Sequence, residues 1–294
     1  MSSWLVIGAS SFTGKHFCEY LNRLGETVYP VSFRGRWDLI GTHYVVDFAA
    51  LNVVAQSWAY PADYMRVNVM EHITLWNTIM QNWPRLKYLH VSTPEIYGAT
   101  HGWIGEDTPY NPSTPYAVSR AAAEMLLKCY HKQHGLPVIF TRACNVYGPG
   151  QQLYRLIPKL IVSIKKGIRF PLEGGGSSYR AFLHVEDVCA ATYLAATKGE
   201  PGEAYHIAPP GLHSTLEIVK RVCQEMEVSV KDVIEEAPER PGKDPEYWLD
   251  PFKLNSMGWH AQVGIREGIE RTVDWMKKNW AQIRDNPTSY EVRP

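Results

Sequence analysis

The stretch Trp4–Gly25, WLVIGASSFTGKHFCEYLNRLG, restricts the fold more than any other part of the chain. Four apolar residues run into Gly8, small residues turn the chain, and Gly14 opens an amphipathic helix that stops at Gly25. A strand fed through a glycine turn into a helix opens a parallel α/β sheet. Such a turn also lets backbone N–H groups at a helix N-terminus meet a pyrophosphate. The spacing is G-x-x-S-x-x-G, with Ser11 standing where the dinucleotide pattern has its middle glycine. Glycine turns end many strands, so the motif alone fixes a local fold and leaves the ligand open.

The second strand, ETVYPVSF, ends at Ser32-Phe33-Arg34-Gly35-Arg36. A turn suited to NAD places a carboxylate at this strand end to accept bonds from the ribose hydroxyls. Here that position is Ser32, and two arginines follow. A guanidinium binds a 2′-phosphate that a carboxylate would repel, so this end tilts toward NADP, with Arg34 as its contact. The competing reading makes Arg34 and Arg36 solvated loop charges. HYVVDF then supplies a third strand, and a helix is expected over about Pro61 to Gln81.

Charge and cysteine usage narrow the partners. Thirty basic and thirty acidic residues cancel, so no global field recruits nucleic acid or an anionic membrane. An anionic ligand must be held by locally placed cations. The five cysteines are scattered with no C-x-x-C pair, which fits reduced thiols in the cytoplasm rather than a disulfide framework or a zinc site. No apolar run approaches the length of a membrane helix, and a first strand starting at residue 4 predicts no signal peptide. His131 and His134 form an H-x-x-H without a nearby carboxylate, which reads as a solvated helix face; no metal is expected. The tail RDNPTSYEVRP reads as frayed.

LHVSTPEIYG, Leu89 to Gly98, is a buried strand running into a turn, with Glu95 just past the strand end. In open α/β sheets the carboxyl ends of the strands are where ligands bind. Glu95 is thus either a working carboxylate or the cap of a following turn.

Taken in order, VSTPEIYG, EDTPYNPSTPYAVSRAAAEMLL, TRACNVYGPGQQLYRLIPKLI, GGGSSYRAFLHVEDV and ERPGKDPEYWLD resemble the extended short-chain dehydrogenase/reductase family. Within it they are most similar to the nucleotide-sugar dehydratase and epimerase branch, above all to the dTDP-glucose 4,6-dehydratases. The likeness spans Trp4 to about Trp275. It implies a Rossmann-type doubly wound parallel sheet over residues 1–145, rejoined by 183–204, and a smaller mixed α/β substrate domain over 146–182 and 205–294. It implies bound NAD(P) held by Gly8, Ser11, Phe12, Thr13, Gly14, Arg34, Ala49, Ala50, Asn68, Tyr116 and Arg120. It implies a nucleotide-diphosphate hexose held by Thr93, Glu95, Asn145, Arg155, Leu156, Arg180 and Arg240, with His206 and Lys243 as further polar contacts. A homodimer built as a four-helix bundle also follows from the resemblance.

Three departures accompany the match. Relatives carry an additional strand and helix before the AA motif at Ala49-Ala50, and the residues between Arg34 and Ala49 are too few for a complete crossover. The family's Y-x-x-x-K is Tyr116-Ala-Val-Ser-Arg120; at i and i+4 the two side chains share one helix face. In the family this tyrosine takes a sugar hydroxyl proton, and the cation lowers its pKa and bonds the nicotinamide ribose. Arginine keeps the charge and cannot relay a proton. Finally, the dehydratases' Thr-Asp-Glu is here Thr93-Pro94-Glu95, so the family's acid is gone while the carboxylate that removes the C5 proton remains. The expected activity is a 4,6-dehydration of a nucleotide-activated hexose by intramolecular hydride transfer. A C4 epimerase or 4-ketoreductase, and a dinucleotide-binding regulator or scaffold that has lost catalysis, stay open.

Overall fold

A computed structural model describes residues 1–33, 41–100, 102–238 and 248–290. Arg34, Arg36, Arg240 and Lys243 lie outside the described residues. Strand β1 (Ser3–Ile7) leads through the glycine turn into α1 (Phe12–Arg23), and β2 (Thr27–Val31) follows. Next come β3 (Tyr44–Asp47), α2 (Val54–Ala59), α3 (Pro61–Met65), a π-helical turn at Arg66–Met70 and α4 (Glu71–Asn82). The expected helix over 61–81 thus contains a π segment. After β4 (Lys87–Val91) a 3₁₀ turn spans Pro94–Tyr97, then β5 (Trp103–Ile104) precedes the long helix α5 (Pro115–His134). Strand β6 (Val138–Ala143), β7 (Asn145–Tyr147), α6 (Leu156–Lys166), β8 (Phe170–Glu173), β9 (Tyr179–Arg180), β10 (Phe182–His184), α7 (Val185–Lys198) and β11 (Ala204–Ile207) follow.

Six strands make one parallel sheet in the order β11-β6-β4-β3-β1-β2. Strand β2 lies at the edge, where Pro30 removes no ladder bond that a neighbour would need. Strands β2 and β3 flank β1 on opposite sides; the residues expected to lack a complete crossover, between Arg34 and Ala49, lie in part outside the described residues.

Period-two alternation sorts side chains to opposite sheet faces. Trp4, Val6, Val46, Leu89 and Ile139 pack with Phe17 and Leu21 of α1 and Val188, Ala191 and Ala195 of α7. Leu5, Ile7, Val45, Tyr88, Val138 and Phe140 pack on the other side with Leu75, Trp76 and Ile79 of α4 and Ala123 and Leu127 of α5. A separate cluster joins Leu160, Ile161, Phe170, Leu172, Val219, Val222, Val273 and Met276 in the second half of the chain. At the end of the described chain, Gln56 Nε2 donates to Tyr290 O (3.2 Å) and the Tyr290 ring meets Tyr154 edge-on with centroids 5.2 Å apart. Up to Tyr290, therefore, the tail is docked rather than frayed.

Candidate active site

The glycine turn sits at the carboxyl end of β1. Ser11 caps α1, its Oγ accepting from Gly14 N at 3.1 Å, so the helix starts at Phe12, two residues before the position expected from the glycine. Ser11 at the middle-glycine place is thus a helix cap. Gly8 has φ of +73°, and a Cβ there would come within 2.8 Å of Ala49 N; a Cβ on Gly14 would strike Gly8 O. Such a cradle, closed to side chains, lets a pyrophosphate approach backbone N–H groups. Phe12 and Thr13 form the first turn of α1, and Ala49-Ala50 follow β3 beside it.

Asn68, on the π turn, ties the walls of this cleft together. Its Oδ1 accepts from Leu51 N (2.9 Å), and its Nδ2 donates to Leu51 O (3.0 Å) and Ser119 Oγ (2.9 Å). Ser119 Oγ in turn donates to Tyr116 O (2.7 Å). One buried amide therefore fixes the loop after β3 against the start of α5. π segments recur at functional sites, and this one carries Asn68.

Helix α5 opens under a Thr114 cap, whose Oγ1 accepts from Ala117 N (3.1 Å), with Pro115 at its first position. Tyr116 comes one residue into that helix, and only 7% of its surface is exposed. Its ring meets Tyr64 edge-on at 6.2 Å. Burial pushes the Tyr116 phenol up; the Arg120 charge, a hydrogen bond with Thr93 and the Arg155 charge pull it down, and Glu95 pushes it up. The pull expected from the cation beside the tyrosine is present, yet burial outweighs it.

Thr93 thus hydrogen-bonds this phenol, and the charges of Arg120, Glu95 and Arg155 act on it. Thr93 caps the 3₁₀ turn, accepting from Glu95 N at 3.3 Å, with Pro94 at the first position. The cap of this turn is Thr93, and Glu95, half-buried two residues on, lies close enough for its charge to raise the Tyr116 phenol. Gly98 closes the turn at φ +63°, and Asn111 N donates to Ile96 O at 2.9 Å to pin it.

Arg120 is buried. Its Nη2 donates to Val91 O and lies 3.0 Å from His90 Nε2, while Nε and Nη1 have no partner among the described residues. Three buried N–H donors without acceptors fit the hydroxyls of a nicotinamide ribose at the Tyr116 site, so cradle and orphaned donors together match a dinucleotide.

From the second half of the chain, Arg155 stands at the start of α6 ahead of Leu156, without a side-chain capping bond, and its Nη2 donates to Asn52 Oδ1 at 3.4 Å. Asn145 begins β7, which pairs with β10. Arg180 lies on β9, paired with His213, and its Nη1 donates to Tyr179 O at 2.7 Å. His206 departs from its expected role as a nucleotide contact. It is fully buried on β11, its Nε2 sits 2.7 Å from Tyr97 Oη, and its backbone N donates to Glu106 Oε1 at 2.9 Å. The reason is its place in the six-stranded sheet, where it joins an interior network with Tyr97, Arg142 and Glu124.

A second buried group was not visible from motifs. Asp47 Oδ1 accepts from Ala49 N (2.9 Å); Oδ2 accepts from Tyr88 Oη (2.6 Å) and lies 3.1 Å from His72 Nε2. Burial alone would raise this carboxyl, but His72, His90 and the Tyr88 hydrogen bond hold it down to about 2. The available signal was polar residues at inward positions of apolar strands, Asp47 in YVVD and His90 in KYLHV.

Comparison with known proteins agrees with this geometry. The family description GDP-mannose 4,6 dehydratase matches residues 38–272. A dTDP-glucose 4,6-dehydratase of Haemophilus influenzae is 34% identical over 79% of this chain and 75% of its own. The dTDP-glucose 4,6-dehydratase of Streptomyces venezuelae, solved with NAD bound, superposes with a TM-score of 0.87 at 28% identity, over 95% of this chain and 98% of that one. A UDP-glucose 4-epimerase of Thermus thermophilus in complex with NAD gives 0.84 at 26% identity, over 94% and 99%. The chain belongs to the GDP-mannose 4,6 dehydratase family, among the nucleotide-sugar dehydratases of the short-chain dehydrogenase/reductase type.

Proposed function

We propose that this enzyme dehydrates a nucleotide-diphosphate hexose across C5 and C6, giving a 4-keto-6-deoxy sugar. The observation that carries the reading is Glu95: two residues past the Thr93 cap, with its charge felt by the Tyr116 phenol. Oxidation at C4 followed by water loss needs a base at the C4 hydroxyl and a second base at C5, and these two side chains share one cleft. A nicotinamide held at Arg120 supplies acceptance and later return of one hydride.

Tyr116 takes the C4 hydroxyl proton, and Thr93 orients that hydroxyl. The ketone acidifies C5–H, and Glu95 removes that proton. The C6 hydroxyl leaves as water, and with Pro94 in place of an acid, Glu95 delivers the proton it has just taken. C5 and C6 are adjacent, so one carboxylate reaches both. The proton that Tyr116 took from the C4 hydroxyl is then released through solvent to C5 as C6 is reduced, so Tyr116 and Glu95 both end the cycle as they began it. Arg155 and Leu156, with Asn145, Arg180 and Arg240, hold the nucleotide diphosphate, since a protein of zero net charge binds a dianion only through local cations.

NADP is the favoured nucleotide, because Ser32 offers no carboxylate and Arg34 follows it. A homodimer is also proposed. Trp58, Met70, Val118 and Met125 are exposed on helices α2 to α5 and their π turn, where a second copy completes a four-helix bundle. Light scattering that returns a monomer at micromolar concentration refutes the dimer.

The test of the activity is product mass after incubation with a panel of nucleotide hexoses. Loss of one water supports dehydration. A mass-neutral change favours an epimerase and two added hydrogens a 4-ketoreductase, readings that need Tyr116 and not Glu95. Dinucleotide binding with no turnover of any sugar favours a regulator.

A further inference from the structure

His90 lies fully buried in β4, and no step of the proposed chemistry touches it. Its Nε2 is 3.0 Å from Arg120 Nη2. Guanidinium offers five N–H donors and no acceptor, so His90 must present a lone pair at Nε2 and carry its proton on Nδ1. Burial and the Arg120 charge press the imidazole down to about 3, against the opposing fields of Asp47 and Glu124, with His72 acting in the same sense as Arg120. At any working pH the ring is therefore a neutral acceptor. Among the described residues Arg120 is held on one edge: Nη2 is engaged by His90 and by Val91 O, while the buried Nε and Nη1 meet no partner there.

We propose that His90 is a positioning residue: its neutral imidazole pins one edge of Arg120 against β4, so that the free edge meets the nicotinamide ribose and the charge stays beside Tyr116. This rests on Arg120 being the cation of the tyrosine site, and not on the identity of the sugar. The physical need is specific to arginine. A long, flexible side chain in a dry site has many rotamers, and two acceptors on β4 select one of them. The same two contacts engage Nη2, which leaves three donors, unpartnered among the described residues, to meet a ligand.

His90→Phe keeps the ring volume and removes the acceptor. It should weaken NAD⁺ or NADP⁺ binding, titrated by calorimetry without sugar, by about tenfold. It should also move the alkaline rise of the rate upward by about one pH unit. His90→Gln restores an acceptor and should recover both. In an Arg120→Met background His90→Phe should cause no further loss of nucleotide affinity, because the group it positions is gone. If His90→Phe folds poorly, His90→Asn, whose amide stops short of Nη2, takes its place with the same expected loss. Parental affinity together with an unchanged pH profile in the acceptor-free variant overturns the proposal. So does an equal loss of affinity in the Arg120→Met background, since that marks a merely structural histidine. Failure of dehydration on every sugar would leave the nucleotide titrations to decide this point separately.

Discussion

Asn68 Nδ2 donates to Ser119 Oγ across 2.9 Å, and through it the π turn of the first lobe holds the helix that presents Tyr116. Neither partner is exposed. Replacing Asn68 with Ala leaves Leu51 N, Leu51 O and Ser119 Oγ short of partners. The expected cost is about 1–3 kcal/mol of unfolding free energy, read from the urea midpoint at constant slope. Nucleotide affinity should fall as well, since Ala49 and Ala50 immediately precede the loop end that Asn68 grips. An unchanged midpoint would remove Asn68 from the frame of the site.

Glu95→Gln preserves shape and cannot ionise. Water loss should fall by roughly 10²–10⁴-fold, the usual worth of a general base. Oxidation at C4 survives, so the variant should accumulate reduced nicotinamide, visible by absorbance, and a 4-keto hexose that keeps its C6 hydroxyl. Release of the 6-deoxy product at near-parental rate would demote Glu95 to a turn residue and promote the epimerase or reductase reading.

Because burial lifts the Tyr116 phenol above its ordinary value and Arg120 only partly offsets this, the rate should climb with pH beyond neutrality. Arg120→Met removes a lowering influence and should push the rise to still higher pH. Arg120→Lys, which returns a cation one helical turn from the tyrosine, should retain activity. A profile indifferent to Arg120→Met would leave the arginine without an electrostatic role.

The Ser32 strand end predicts that NADP(H) binds more tightly than NAD(H). Arg34→Ala should erase most of the difference, on the order of 1–3 kcal/mol for a charge-assisted phosphate contact. Calorimetry that finds NAD(H) equal or tighter in the parent contradicts the assignment.

Local patterns carried much of this architecture. The glycine turn, the third strand at HYVVDF and the helix that carries Tyr116 and Arg120 each follow from spacing or residue type within a few positions. His206 and the tail were misread because their environments are built by distant segments. A histidine in AYHI looks alike whether it faces a ligand or Tyr97, and only the pairing of β11 with β6 decides. Tyr290 docks through Gln56 and Tyr154, contacts no local propensity records. The grip of His90 on Arg120 spans 30 residues and was equally hidden.

The buried histidines set the protein's acid sensitivity. His90 and His206 are held down to about 3 and His184 to about 4, in each case first by burial. An unfolded histidine titrates near 6.5. As pH falls, the unfolded chain therefore takes up protons that the folded chain refuses. Their contribution is complete above about pH 6.5 and is lost from there down to about 3–4, at about 1.4 kcal/mol per pH unit for each ring. Three rings acting together give a slope of about 4 kcal/mol per unit between pH 6 and 4. Asp47 and Glu124, both held down to about 2, add to the loss only below the ordinary carboxylate range. With a typical stability of about 5–15 kcal/mol, unfolding should set in near pH 4–5. Urea midpoints across pH 7 to 4.5 read this slope, and His206→Gln should reduce it by roughly one third. Midpoints that stay level over that range would show that these rings accept protons in the folded state.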